Sequence, residues 1–298
     1  MRKQILFLAI SLVLFSCTTT SNIAKEESVF FYSSIDDFSA EWNFQNSYFE
    51  RSDFYLEKEK SLCHLIKIDL TNPELKIFLY TGDSEKIKSI RPSELSKITN
   101  ADIIINTVPW SQKIPLISEK IPVGIVYKNG ITYSTPNKNY GAISLVKTNS
   151  DRKSEYRAEI TDSQKAPAIR NQNETKENFS DDLTGDSEII TGGFWQILKD
   201  GEKLSFKEIS DSRTALAISN DQKTLYILIV EGENKSRSKG LSYGQCADIF
   251  IKTGAFNAIE LDGGSSTTLY IYGKNVLSYK KNPKIPAFLC FSKTIFDK

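Results

Sequence analysis

Ser242-Tyr243-Gly244-Gln245-Cys246-Ala247-Asp248-Ile249-Phe250-Ile251-Lys252-Thr253-Gly254 is followed within four residues by Ala258-Ile259-Glu260-Leu261, and this pair of segments decides the fold class. Ser242 and Gln245, three residues apart, form a capping box in which each side chain satisfies a backbone N–H of the other. Gly254 supplies the stop, because glycine adopts the left-handed conformation that ends a helix. Cys246, Ile249 and Phe250 fall on one face of that helix, and such an apolar stripe must be covered. The run Ala258 to Leu261 provides a strand of the covering sheet. The expected class is therefore α+β: a strand-dominated mixed sheet with a few packed helices, in a single domain.

Upstream, Arg213 to Ser219 and Thr224 to Val230 flank the turn Asn220-Asp221-Gln222-Lys223 and read as an antiparallel hairpin. If Ser219 pairs with Thr224, the register sets Arg213 opposite Val230, and Arg213 and Glu231 are expected to meet at the end away from the turn. Further strands are expected at Leu62 to Leu70, Leu75 to Tyr80, Asp102 to Asn106, Val123 to Tyr127 and Ala142 to Lys147. Residues 171–186 are polar except for Phe179 and Leu183 and read as a mobile insertion. No internal repeat is present.

The N-terminus carries an address. Arg2 and Lys3 precede an apolar run from Ile5 to Phe15, the pattern of a signal peptide. The run is too short for a span that needs about 20 residues. It ends in Leu14-Phe15-Ser16-Cys17, which resembles a bacterial lipobox. Residues 1–16 are thus expected to be removed, Cys17 to be lipidated, and residues 17–28 to tether a domain spanning 29–298. The expected location is the cell envelope, outside the cytoplasm, with the membrane as a partner through the lipid. The remaining cysteines, Cys63, Cys246 and Cys290, are irregularly spaced and expected to be buried and unpaired.

The 298 residues carry 38 Lys and Arg against 37 Asp and Glu. Such a balance creates no net field to steer the molecule onto nucleic acid, so an anionic ligand must be held by local chemistry. The most specific local segment is Glu260-Leu261-Asp262-Gly263-Gly264-Ser265-Ser266-Thr267. In a strand, Glu260 and Asp262 share a face about 6.6 Å apart. Gly263 and Gly264 allow a turn that presents amide N–H groups to a ligand, with the Ser265, Ser266 and Thr267 hydroxyls nearby. Read alone, such a pair is more often only a tight turn. The sole histidine, His64, lies in an apolar strand run and reads as structural, which leaves Ser265 and Ser266 without a base for nucleophilic chemistry. No cofactor is expected, and the composition leaves room only for an all-oxygen calcium site.

Taken in order, these segments resemble the phosphodiester glycosidases over most of the chain after about Ser61. Ile105-Asn106, Thr191-Gly192-Gly193, Arg213-Thr214-Ala215, Glu231-Gly232, Ser238-Lys239-Gly240-Leu241-Ser242 and Leu261-Asp262-Gly263-Gly264-Ser265-Ser266 follow the family's sequence of motifs. The chain departs from that pattern in three places. Thr107-Val108-Pro109-Trp110 replaces a glycine pair and aromatic, Ala287 stands where an asparagine is expected, and Ser265 takes the place of a third glycine.

The resemblance implies a hydrolase that cleaves a sugar from a phosphodiester, with a glycan or sugar phosphate as substrate, which the leader would place in the envelope. Arg213 and the Gly263 and Gly264 amides are then expected to hold phosphate. Asp262, Glu231 and Glu260 are the candidate carboxylates. Asn106, Thr107, Gly192, Gly193, Ser265 and Ser266 are expected to line the substrate site, with Trp110, Phe194, Trp195 or Tyr243 stacking on sugar. The alternative is a non-catalytic glycan-binding or structural lipoprotein on the same fold.

Overall fold

A computed structural model describes residues 28–82, 87–114, 119–150, 153–166 and 188–293. Cys17, the leader and tether, and residues 171–186 lie outside the described residues.

The helix runs Tyr243–Lys252 and is capped as its sequence requires. The Ser242 hydroxyl accepts from the Gln245 N–H at 3.3 Å, and the Gln245 side chain accepts from the Ser242 N–H at 2.9 Å. Cys246, Ile249 and Phe250 are fully buried. The following strand, Ala255–Glu260, starts three residues earlier than its apolar run. One other α-helix, Pro92–Thr99, occurs among the described residues, so strands dominate.

The hairpin forms with Arg213 opposite Val230, and the strand Ala255–Glu260 lies on its other side, with Ala215 opposite Glu260. These strands occupy the middle of a nine-stranded sheet. It is mixed because Val29–Tyr32 pairs in parallel with Phe49–Leu56, whereas the neighbouring strands pair antiparallel. Where the sequence suggested one mixed sheet, two five-stranded sheets and a two-stranded ribbon accompany it. The reason is that the central strands are apolar on both faces, and each face needs its own cover.

One face, carrying Ile66, Leu216, Ile227 and Ile259, packs on residues of both five-stranded sheets, including Ile77, Ile105, Leu289, Ile143 and Leu145. The other, carrying Leu65, Ala215, Leu228 and Ala258, packs on Cys246, Ile249 and Phe250 of the helix. Cys63, Cys246 and Cys290 are buried and none joins another in a disulfide among the described residues, as their spacing suggested.

The strand Phe49–Leu56 escapes a reading by apolar alternation because Arg51, Ser52 and Asp53 occupy its middle. All three are buried, and Arg51 and Asp53 bond to each other, which offsets the cost of burying them.

Because Phe250 fills the contact between helix and sheet, Phe250→Ala should lower unfolding stability by about 3–5 kcal/mol, the usual cost of deleting a buried aromatic ring. Urea denaturation at constant pH measures it, and a loss below about 1 kcal/mol would contradict this packing.

Candidate active site

The central strands end together at one edge of the nine-stranded sheet, where the chain leaves Glu260 to form the glycine turn. Three backbone bonds stitch this turn in place. Leu261 N–H donates to Thr214 O at 2.8 Å, Asp262 N–H to Thr107 O at 2.8 Å, and Gly264 N–H to Ser212 O at 2.9 Å. Gly263 is required by this proximity, since a β-carbon there would lie 2.6 Å from Ser212 O. Gly264 has φ +55°, which glycine adopts without strain.

Asn106 lies under the turn, fully buried. Its side-chain amide donates to Asp262 O at 2.6 Å, and its side-chain oxygen accepts from the Thr214 hydroxyl at 2.8 Å and the Thr268 N–H at 2.9 Å. Thr107 is buried as well, and its carbonyl takes the Asp262 N–H. Gly192 and Gly193 serve close backbone approach: β-carbons there would lie 3.0 Å from Ile125 N and 2.3 Å from Glu260 O. Ser265 is exposed at the tip of the turn and Ser266 is buried.

Asp262 is half-buried. Burial raises its carboxyl to about 6, while Ser266, the Gly263 amide and the charge of Lys120 pull in the opposite direction. The Gly263 N–H donates to its Oδ1 at 3.1 Å. Ser266 also accepts from the Trp110 indole N–H at 2.9 Å, and the Lys120 ammonium lies 3.4 Å from the centre of the Trp110 ring. Burial lowers the Lys120 pKa, opposed by the Asp262 charge. Trp110 and Lys120 thus stand beside Asp262. Lys120 belongs to no motif, and nothing local in the sequence marks it.

Arg213 is nearly buried, with its guanidinium 4.2 Å from the centre of the Tyr243 ring. Its Nε donates to Leu241 O at 2.9 Å and its Nη2 to Ile209 O, which fixes the fork. Burial raises the Tyr243 hydroxyl to about 12, and among the charges acting on it are Glu260, Arg213 and Asp262. Tyr243 thus lies within the electrostatic reach of all three, and Arg213 also acts on Glu260. Glu260 is 0% exposed, and no N–H or O–H reaches its oxygens. Burial raises its carboxyl to about 8 against the opposing Arg213 charge and Cys246 thiol. It sits behind the surface, where burial favours its protonated form.

Glu231 differs from expectation: it does not meet Arg213. Arg213 is paired with Val230, so Glu231, one residue further, projects from the opposite face of the sheet. There Glu231 is 1% exposed and accepts from His64 Nε2 at 3.0 Å, the Ser278 N–H at 2.8 Å and the Ser278 hydroxyl. His64 Nδ1 bonds Asp53 at 3.0 Å, and Arg51 bonds both Asp53 oxygens, at 2.9 and 2.6 Å. Burial lowers the His64 pKa, but Asp53 and Glu231 reverse this and hold it at about 9. Burial acts to raise the Glu231 carboxyl, yet His64 and Ser278 bring it below the usual range. His64 is structural, as its setting suggested, but through an ionic chain rather than apolar packing. The signal lay in the register: Asp53 is directly opposite His64, and His64 is opposite Ile229, two residues before Glu231.

A cavity of about 360 Å³ opens at the other end of these strands, lined by Ile160, Gln196, Ile218, Asn220, Phe256 and Asn257 among others. None of the residues just described lines it. Among the described residues no group of three or more His, Cys, Asp and Glu side chains is placed to hold a metal ion.

A family model described as phosphodiester glycosidase matches residues 98–291. No curated protein matches the chain by sequence. Among solved structures, a hypothetical protein from Synechocystis aligns with a TM-score of 0.58 at 13% identity, covering 87% of this chain and 64% of that one. The zebrafish N-acetylglucosamine-1-phosphodiester alpha-N-acetylglucosaminidase catalytic domain, auto-inhibited by its pro-peptide, aligns with a TM-score of 0.55 at 14% identity, covering 86% of this chain and 89% of that one. At such identities the structural likeness establishes the fold alone.

The imidazolium of His64 contributes to stability fully below its unfolded pKa of 6.5, and that contribution is lost as pH rises through about 9. Urea midpoints taken from pH 6 to 9 should therefore fall, and His64→Gln should flatten this decline while destabilising the protein at pH 6. An unchanged slope in the variant would refute the ionic chain.

Proposed function

Because the chain belongs to the phosphodiester glycosidase family, we propose that it is a hydrolase that releases a sugar from a sugar-1-phosphodiester in a glycan or glycoconjugate, with Asp262 as the catalytic carboxylate. The observation that carries this reading is the setting of Asp262: a half-buried carboxyl raised to about 6, on a turn pinned by backbone bonds, between a cation and a glycine amide. A phosphate is already a good leaving group, so the reaction needs anion stabilisation and an ionised carboxylate more than a strong acid. Asp262 activates water or attacks the anomeric carbon, and either role requires its ionised form.

Phosphate is held by the fixed Arg213 fork, with the Gly263 and Gly264 turn and Lys120 contributing positive potential, as charge-assisted donors aimed at a developing anion do. Glu260 supports Arg213 from behind, and Glu231 shapes the edge of the sheet through His64 and Ser278. Both act through other groups in this assignment, because neither is accessible. The α+β, single-domain description is part of the same reading. So is an envelope location: Cys17, lipidated after removal of residues 1–16, holds the domain to the membrane, since acyl chains contribute about 0.8 kcal/mol per buried methylene.

Release of free sugar from an N-acetylglucosamine phosphodiester should rise with pH through about 6, as Asp262 ionises. Asp262→Asn should lower kcat by about 10²–10⁴. Lys120→Gln should move the midpoint of the rise to higher pH, because the ammonium favours the ionised carboxylate. No release by the folded parent across several sugar phosphodiesters would favour the glycan-binding alternative. For the anchor, the full-length chain should partition into detergent after expression in a bacterial host, and Cys17→Ala should leave it in the aqueous phase. Equal partitioning of the two would sink the lipid assignment.

A further inference from the structure

The cavity at the far end of the sheet is separate from the Asp262 turn in both distance and facing. Asn257, which lines it, precedes Glu260 by three positions on the strand Ala255–Glu260, a rise of about 10 Å. By alternation Asn257 shares the face of Ile259, which packs on the five-stranded sheets, whereas Glu260 shares the face of Ala258, which packs on the helix. The cavity is thus a crevice between sheets. Gln196 and Asn257 line it from the nine-stranded sheet, and Ile160 lines it from the strand Lys153–Asp162 of a five-stranded sheet. Asn220 and Gln222, both exposed on the hairpin turn, line it as well.

Two of these amides hold each other in place. Gln196 Nε2 donates to Asn257 Oδ1 at 3.0 Å, and the Asp200 N–H donates to the same oxygen at 3.0 Å. Both side chains are therefore oriented before a ligand arrives, and each keeps a second polar group, the Asn257 amide nitrogen and the Gln196 amide oxygen. The partly buried Phe256 is backed by Gly201, whose N–H donates to Phe256 O at 2.8 Å. A β-carbon on Gly201 would lie 3.6 Å from the ring. Charges of both signs surround the opening: Glu159, Asp162 and Asp200 stand with Lys165 and Lys199, and Asp162 pairs with Lys165 at 3.1 Å.

Such a lining discriminates among ligands. An apolar molecule would cover the amides without replacing the hydrogen bonds they make to water. A strongly anionic or cationic one would meet charges of its own sign. A sugar hydroxyl both donates and accepts, as a carboxamide does, and the C–H face of a pyranose fits a phenyl ring. The volume, about 360 Å³, lies within the range of small-ligand sites. We propose that this crevice is a second, non-catalytic carbohydrate site, which holds neutral pyranose units of a glycan between the two sheets. It stands on its own lining and does not depend on the hydrolase reading.

The test is calorimetric titration of the full chain, kept in a detergent without a sugar head group, with maltotriose, cellotriose and the trisaccharide of N-acetylglucosamine. At least one should bind, and Asn220→Ala combined with Gln222→Gly should weaken that binding about tenfold or more, the effect of losing one or two hydrogen bonds. Glycine suits the φ of +58° at Gln222, so the turn is kept, and an unchanged urea midpoint verifies it. Phe256→Ala should weaken binding by a similar factor and Phe256→Tyr should retain it, while Asp262→Asn should leave it unchanged. Failure of all three sugars to bind at millimolar concentration would overturn the site. So would binding that survives the double variant, or binding lost in Asp262→Asn, which would place the sugar at the glycine turn instead.

Discussion

The site depends on one buried amide. Asn106 ends a strand of a five-stranded sheet and spends its side chain on three partners: Asp262 O, the Thr214 hydroxyl and the Thr268 N–H. Two of these flank the glycine turn, and the third belongs to a central strand of the nine-stranded sheet. A single side chain thereby fixes the position of the turn relative to two sheets. Its buried donor and acceptor groups are costly to leave unpaired, by roughly 1–3 kcal/mol each, so the arrangement resists slippage. The backbone bonds from Asp262 to Thr107 and from Gly264 to Ser212 continue the same join.

From that join the two faces of the sheet take different tasks. On the helix side, Arg213, Glu260 and Asp262 all act on Tyr243, Arg213 acts on Glu260, and burial raises both carboxyls. On the other side, Arg51, Asp53, His64 and Glu231 alternate in sign and satisfy one another. Removing one member of such a chain would leave an uncompensated buried charge, which costs several kcal/mol. The ionised carboxylate locked in that chain is fully engaged by its partners, whereas the perturbed Asp262 retains access to solvent. That contrast is the ground on which we propose chemistry for Asp262 and support for Glu231.

The departures from the family's pattern acquire a physical sense in this setting. Trp110 bonds Ser266 and carries Lys120 on its ring, so the segment that lost a glycine pair brings a cation towards Asp262. Ala287 is buried in the apolar interior with Leu289 and Phe291. The departures thus lie beside the Asp262 turn and in the apolar core next to it.

The capped helix from Tyr243, the hairpin register that sets Arg213 opposite Val230, and the glycine turn at Gly263 and Gly264 were legible in the sequence. Each is governed by local rules: capping within one turn of helix, pairing across a short loop, and the backbone freedom of glycine. The strand Phe49–Leu56 was not legible, because its buried polar residues mimic a surface segment until their partners are known. Nor was the approach of Lys120 to Asp262, or the tie from His64 to Glu231 across the sheet, since these join residues 142 and 167 positions apart. Sequence alternation placed Arg213 opposite Val230, but the expectation that Glu231 would meet Arg213 failed, because Glu231 bonds His64 and Ser278 instead. Only the tertiary structure decides that, because a side chain's partner across a sheet or between sheets depends on how separate layers stack, and no local interaction encodes the stacking.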